Sequence, residues 1–340
     1  MASAPAVDPG PVEEVGWVTG EDSPNRTGSR FALHATDLGI CWDDGGGGLL
    51  VAFGDSYGHG WGGHGPGPKD ADWRCNLLAR AALGTPIGTL DLKSVIEDVP
   101  GHAAQVLPHD PLVPEETVLP TSGIAVAGTQ YMHYMSVRSW HGPGRWRTNY
   151  GAIAYSTDNA ETWRTDGPRW PNRPARLWRG GGAAFQLGSF VPGADGEHIL
   201  LFGTPNGRFG PARLARVPAD ALLDQDAWRY WTGDEWVPQA HRAAPVIPAP
   251  VAELSVLRHQ PSGRWLALTL DEHLAAIVLR SAEAPTGPWS PPLPVVYGTD
   301  YPGLYGGHLL PCSATDEQLY FTMSQWGPYN VRLMRTRLAF

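Results

Sequence analysis

The sequence predicts an all-β protein, and within that class a five-bladed β-propeller whose last blade is closed by a strand from the N-terminus. Three observations lead there. The 42 Gly and 33 Pro among 340 residues punctuate the chain at short intervals, which favours many short strands and turns over long helices. The strand-like runs fall into five successive groups of about 50–60 residues, and sheet modules of that size bury their faces only by stacking in a ring. The fifth group is one strand short, while an unpartnered strand-like run stands near the N-terminus.

Residues 1–12, rich in Pro and small side chains, read as a flexible arm, and 13–340 as a single propeller domain. Residues 15–19 form the short strand available to complete the last module, and 21–30 read as loop. Residues 31–42 (FALHATDLGICW) and the apolar run starting at Leu49 (LLVAFG) read as strands joined by the Gly-rich turn DDGGGG, a hairpin signal. Residues 73–83 and 88–99 complete the first module. The second holds 117–127, 130–140 and 150–165, the third 182–191, 197–204, 212–217 and 228–236. The fourth holds 253–258, 264–270, 275–281 and a piece after Trp289; the fifth holds 305–312, 318–326 and 330–338. A helix is expected only at 218–228. In the second module STDNAETW, from Ser156 to Trp163, resembles the Asp-box turn of sialidase-like propellers, with Ala160 where Gly is usual. Asp158 is then structural, closing an Asx-type turn while Trp163 packs between sheets. PTGPWS, from Pro285, is a looser echo in module four.

Composition narrows the function. A formal net charge of −9 with no Lys/Arg-rich run argues against nucleic acid as a partner. No apolar stretch approaches the roughly 18–20 residues a membrane span requires. The N-terminal MASAPAVDPGPVEEVG has neither a basic nor an apolar leader region, so it is no signal peptide as it stands; either export takes another route or a leader is missing from this chain. Cys41, Cys75 and Cys312 make neither a disulfide framework nor a zinc site, though one bridge stays open. No nucleotide-binding glycine pattern, HExxH or GxSxG occurs, so no cofactor is expected, and a monomer is the default. The 15 Trp residues suit a protein that handles sugars, whose C–H faces stack on indoles.

The opening hairpin carries the sharpest signal. Folding about its Gly turn, it sets Asp37 opposite Asp55, and directly opposed residues on one face have Cβ atoms roughly 4.5–5.5 Å apart. Two carboxylates that close push one pKa upward, and glycoside hydrolysis needs two carboxyl groups flanking the scissile bond, one protonated and one ionised. A bulge in the turn would rotate one of them to the other face. The alternatives are two solvated aspartates or a pair neutralised by an arginine such as Arg74. Arg74 and Asn76, in WRCN, follow the central loop and are placed to contact substrate hydroxyls or hold Asp55 ionised. Glu253, in VAELSV, opens a channel-lining strand. Thr121, His133, Gln186, Tyr305, His308 and Trp326 are pocket candidates by their places near strand ends. His34, His59 and His64 share such places, but no ligand spacing distinguishes a metal site.

The set LLVAFGDSYG with WRCN, VLPTSGIAV, QYMHYMSVRSW with the Asp-box, LLFGTPNGRFG, ELSV, PTGPWS and FTMSQWGPYNV resembles the actinobacterial and phage endo-D-arabinanases, a glycoside hydrolase family formerly classed as a domain of unknown function. The resemblance runs from about residue 14 to 338. It implies a five-bladed propeller, endo-acting cleavage of α-D-arabinofuranosyl linkages in mycobacterial arabinogalactan and lipoarabinomannan, and two essential aspartates spaced as Asp37 and Asp55 are. It further implies retention of configuration, with Asp37 as nucleophile and Asp55 as acid/base, on a cell-wall polymer reached outside the cell or from a phage. The rival reading is a carbohydrate-binding propeller without catalysis. A sialidase-like hydrolase is disfavoured, since no arginine cluster is present for a substrate carboxylate.

Overall fold

The computed structural model describes residues 7–84, 87–173 and 181–340. Five antiparallel sheets form a five-bladed β-propeller. Blade 1 takes Ala35–Asp43, Leu49–Tyr57, Leu77–Leu83 and Leu90–Val95, and blade 2 Thr117–Val126, Thr129–Trp140, Trp146–Ser156 and Arg169–Pro171. Blade 3 runs Leu187–Pro192, His198–Thr204, Gly210–Pro218, Arg229–Trp231 and Trp236–Val237; blade 4 runs Leu254–His259, Arg264–Asp271, Ala276–Ala282 and Leu293–Tyr297. Blade 5 takes Leu304–Leu309, Gln318–Gln325 and Asn330–Ala339 from the C-terminus and Glu13–Trp17 from the N-terminus. The terminal strand thus locks the ring shut, with Val18 N–H donating to Val331 O and Thr19 Oγ1 to Asn330 Oδ1.

The innermost strand of each blade packs on that of the next, around to Leu304–Leu309 against Ala35–Asp43. Serines on these strands tie blade to blade: Phe190 N–H donates to Ser122 Oγ, Val256 N–H to Ser189 Oγ, and Leu309 N–H to Ser255 Oγ. At the seam Leu38 N–H donates to Ser324 Oγ. An innermost strand has one edge without a ladder partner, and its buried N–H groups must be met by such side chains. Apolar side chains fill the spaces between sheets, among them Leu50, Leu201, Phe202, Leu266 and Phe321, all fully buried.

Several expectations need correction. Residues 7–12 are not a free arm: Val7 is buried, and Asp8 and Pro9 pair with Ala339 and Leu338, where the sheet edge leaves Pro no hydrogen bond to lose. Residues 1–6 lie outside the described residues. Residues 73–83 are two strands, Trp73–Arg74 and Leu77–Leu83, broken where Cys75 N–H and the Asn76 side chain turn to the 105–107 segment. The loop before blade 1 holds a single helical turn, Thr27–Phe31, too short to show periodicity, and 218–228 holds only the 3₁₀ turn Ala219–Ala221. The Pro-rich segment Pro245–Val251 is an additional edge strand on Gly210–Pro218. All three cysteines are free.

At the Asp-box, Asp158 accepts from Thr162 N–H and Thr162 Oγ1, which holds its carboxyl at about 2. Ala160 takes a left-handed φ of 67° and is fully buried, its N–H on Ser156 Oγ. Trp163 packs against the core beside blade 2. Among the described residues no helix is long and apolar enough to cross a membrane.

Candidate active site

Where the innermost strands begin, loops from all five blades surround a cleft of about 760 Å³. Its floor is built by blade 1. The hairpin keeps the expected register at both ends, Ala35 opposite Tyr57 and Asp43 opposite Leu49, but between Thr36–Ser56 and Leu38–Phe53 one residue, Asp37, stands against two, Gly54 and Asp55. This bulge is compensated at Gly39, which with Leu38 takes a left-handed φ (75° and 70°). Both carboxylates line the cleft. Gly54 is required here, since a Cβ on it would lie 2.3 Å from Asp37 Oδ1.

The two aspartates have different surroundings. Asp37 is 8 % exposed; its Oδ2 accepts from Tyr305 Oη at 2.9 Å and Tyr329 Oη at 3.3 Å, and its Oδ1 has no protein partner. Burial, and next the charge of Asp55, push this carboxyl up to about 8 against those two phenols. Asp55 Oδ1 accepts from Thr117 Oγ1 at 2.7 Å and Trp73 Nε1 at 3.0 Å. Burial raises Asp55 to about 6, opposed by those donors and, less, by Lys69 and His109. Two carboxyls that feel one another titrate as a unit, and around neutral pH this unit holds about one proton. Beside them Arg208 joins Glu253 (2.8 Å) to Glu272 (3.1 Å) and lies over the rings of Tyr305 and Trp146. Lys69 pairs with Glu116 at the rim. Trp73, Trp140, Trp146, Trp326 and Tyr57 supply flat apolar walls. Trp140 (48 % exposed) and Trp326 (49 %) stand on blades 2 and 5, the two neighbours of blade 1.

The cleft gathers Asp37, Asp55, Tyr305 and Trp326, and a small chamber beneath it gathers Thr121, Glu253 and His308. The other candidates are structural. Arg74 binds Ala103 O at 3.0 Å and Ala32 O at 2.9 Å with Asp72 alongside, so it touches neither aspartate of the pair. Asn76, fully buried, donates to Leu107 O and Val118 O and accepts from Val106 and Leu107 N–H, tying blade 1 to blade 2. His133 is a core histidine on Thr121 Oγ1 (2.6 Å), packed by Trp170 and Phe190 and held neutral by burial, which lowers it to about 3. Gln186 accepts from Thr148 Oγ1 and donates to Trp170 O and Gly182 O. Side chains alternate along a strand, so choosing Arg74 missed its neighbour Trp73, which reaches Asp55. Tyr57, Thr117, Arg208, Glu272 and Tyr329 were also missed, although Arg208 and Tyr329 lie in the motifs LLFGTPNGRFG and FTMSQWGPYNV.

The family model described as "Domain of unknown function (DUF4185)" matches residues 22–335. The chain belongs to that family. Among its relatives, "Notoamide biosynthesis cluster protein J" of Aspergillus sp. (strain MF297-2) is 29 % identical over 331 residues, covering 90 % of this chain and 83 % of its own. Among solved structures, a family 117 glycoside hydrolase of the marine bacterium Zobellia galactanivorans superposes with a TM-score of 0.56 at 13 % identity, over 96 % of this chain and 90 % of its own. The native arabinanase of Bacillus subtilis gives 0.53 at 10 %, over 90 % and 98 %. This DUF4185 chain thus has the propeller fold found in glycoside hydrolases.

Proposed function

We propose that the protein is an endo-acting glycoside hydrolase that cleaves α-D-arabinofuranosyl linkages in the D-arabinan of mycobacterial arabinogalactan and lipoarabinomannan. The observation that carries this reading is the Asp37–Asp55 pair, a buried and a half-buried carboxyl at the floor of an aromatic cleft, the first raised by the charge of the second. One proton shared by the pair is what glycoside cleavage asks for. The protonated carboxyl donates to the leaving glycosidic oxygen as the ionised one attacks the anomeric carbon; water then displaces the covalent intermediate and returns its proton to the first. The indoles stack on furanose C–H faces, and Arg208, Glu272, Lys69 and Glu116 offer partners for hydroxyls. The order implied by the resemblance, Asp37 nucleophile and Asp55 acid/base, requires the shared proton to sit on Asp55 when substrate is bound, whereas in the free protein burial leaves it on Asp37.

Incubating purified arabinogalactan with the wild type, Asp37→Asn and Asp55→Asn tests the reading. Oligosaccharides released by the wild type alone support it; equal release by the variants ends it, and release by none leaves a carbohydrate-binding propeller. Azide rescue of alanine variants then assigns the pair, giving an inverted glycosyl azide where the nucleophile is missing and a retained one where the acid/base is missing. The name of the fungal relative, which sets it in a notoamide biosynthesis cluster, favours a second reading in which the same cleft acts on a small molecule. A wild type that leaves the polymer intact but hydrolyses small glycosides would favour that.

A further inference from the structure

Beneath the cleft, on the propeller axis, lies a chamber of about 70 Å³. It shares Asp37, Trp146, Arg208 and Tyr305 with the cleft above. With a second cavity, of about 550 Å³, it shares Thr121, Leu254 and His308. That second cavity is lined by the far ends of the innermost strands, such as Trp42, Ile124, Val191 and Leu257, so it belongs to the opposite face. The three spaces follow one another along the axis.

Four residues lining the chamber each have a buried polar atom without a protein partner: Asp37 Oδ1, Trp146 Nε1, Glu253 Oε2 and His308 Nε2. The residues are 8 %, 5 %, 9 % and 4 % exposed. Such atoms are unfavourable unless water or a ligand meets them. Among the described residues no three His, Cys, Asp or Glu side chains converge closely enough to hold a metal ion, whereas the volume exceeds the roughly 10–15 Å³ that one water needs.

We propose that a chain of ordered waters fills this chamber, held by Glu253 and His308, and carries protons between Asp37 and the opposite face of the propeller while a polymer covers the cleft. The proton traffic rests on the hydrolase reading; the water site does not. As polymer binds, Asp55 takes up one proton from the cleft and the Asp37 carboxyl gives one to the adjoining water, each water passes one on, and the last is released to solvent at the far face, so that the pair still holds one; the flow reverses when product leaves. No electron moves and no co-reactant is needed. Glu253 keeps Oε2 for this purpose because Arg208 holds its Oε1. His308 is neutral, burial having lowered it to about 4, so it relays hydrogen bonds and adds no charge. The charged and titratable groups around the path are Asp55, Tyr57, Lys69, Glu116, Arg208, Glu272, Tyr305 and Tyr329 on the cleft side and Cys41, Asp43 and Arg258 on the far side.

A high-resolution crystal structure of the wild type is expected to show waters within about 3.2 Å of the orphaned atoms of Asp37, Glu253 and His308; a dry chamber, or one filled by a cation, would overturn the proposal. His308→Leu, an apolar plug, is expected to lower kcat on D-arabinan at least about tenfold at unchanged KM, while His308→Gln, which keeps a polar atom in place, stays within about twofold. Thermal melts check that both fold. An unimpaired His308→Leu, or equal losses in both variants, would overturn proton conduction. If the wild type cleaves no glycan, the hydrolase reading fails by itself, and the crystallographic waters still decide the site.

Discussion

Replacing Asp37 by Asn should stabilise the fold, increasingly so as the pH rises, while abolishing hydrolysis. The Asp37 carboxyl is raised from its ordinary 3.8 to about 8, first by burial and then by the charge of Asp55. Between those values the folded chain keeps a proton that the unfolded chain releases, so stability falls as pH climbs from about 4 to about 8 and is level outside that window. One proton corresponds to about 1.36 kcal/mol per pH unit, which sets a ceiling near 4 kcal/mol at pH 7. The substituted amide would not titrate and still offers an oxygen to Tyr305 and Tyr329. Its NH₂ would take the unpartnered place of Oδ1 beside Gly54, at a cost of about 1–3 kcal/mol. The net gain expected at pH 7 is therefore about 1–3 kcal/mol, shrinking to nothing or turning negative by pH 5. Urea unfolding of both proteins at pH 5, 6, 7 and 8 measures it, because the difference between them cancels every other titrating group to first order. A difference that stays flat or falls with pH would mean that Asp37 is ionised in the fold, and the account of the pair as a proton-sharing unit would be wrong.

Three further expectations follow from the same geometry. Gly54→Ala sets a methyl 2.3 Å from Asp37 Oδ1 and 3.0 Å from Leu38 Cδ1. Relief requires a shift of roughly 1 Å, so kcat should fall about 100-fold with a stability loss of about 1–3 kcal/mol, read by initial rates and urea midpoints; normal activity would show that the carboxyl has slack. Trp140→Ala and Trp326→Ala each remove one exposed stacking wall, and each should raise KM on polymeric arabinan about tenfold while leaving a short synthetic arabinoside unaffected. An equal loss on both substrates would place those indoles at the bond being cut. Asn76→Ala leaves Val118 O and the N–H groups of Val106 and Leu107 without their side-chain partner, while Leu107 O keeps Gln105 Nε2, and should cost about 2–5 kcal/mol, with the KM of the surviving folded protein unchanged; a raised KM would return Asn76 to the substrate.

The fold was legible because its determinants are local and repeated. Turn chemistry, apolar runs of strand length and the missing strand of the last module all lie on the surface of the sequence, and the terminal closure by Glu13–Trp17 needed only the count. What hid was whatever depends on a single distant partner. The Pro245–Val251 strand carries three prolines, which read as loop until it is known to be an edge. Val7 and Asp8–Pro9 are ordered by the far end of the chain, Leu338 and Ala339.

The site follows the same division. Asp37 and Asp55 could be paired from sequence because they share one hairpin, and the bulge that could have parted them is undone one residue later by Leu38 and Gly39, the only left-handed residues of that strand. The choice among the residues flanking the central loop had no such guide. Trp73 and Arg74 are adjacent in a two-residue strand, and nothing in WRCN says which of them faces the axis. Polarity suggested the arginine, but its charge is used up by two backbone carbonyls and Asp72, while the indole N–H reaches Asp55. Asn76, His133 and Gln186 misled for one reason: a propeller must satisfy the inner edges of its blades, and it uses for this the same amides, imidazoles and hydroxyls that line sugar sites. Between blades, a polar side chain near a strand end is therefore weak evidence for a ligand unless one of its atoms is left without a partner. Asp37, Glu253 and His308 meet that condition around one chamber; Asn76 and Gln186, their side-chain atoms all engaged, do not, and Arg74 and His133, each with one unpartnered nitrogen, line none of the three cavities, so the condition counts only where the atom faces open space.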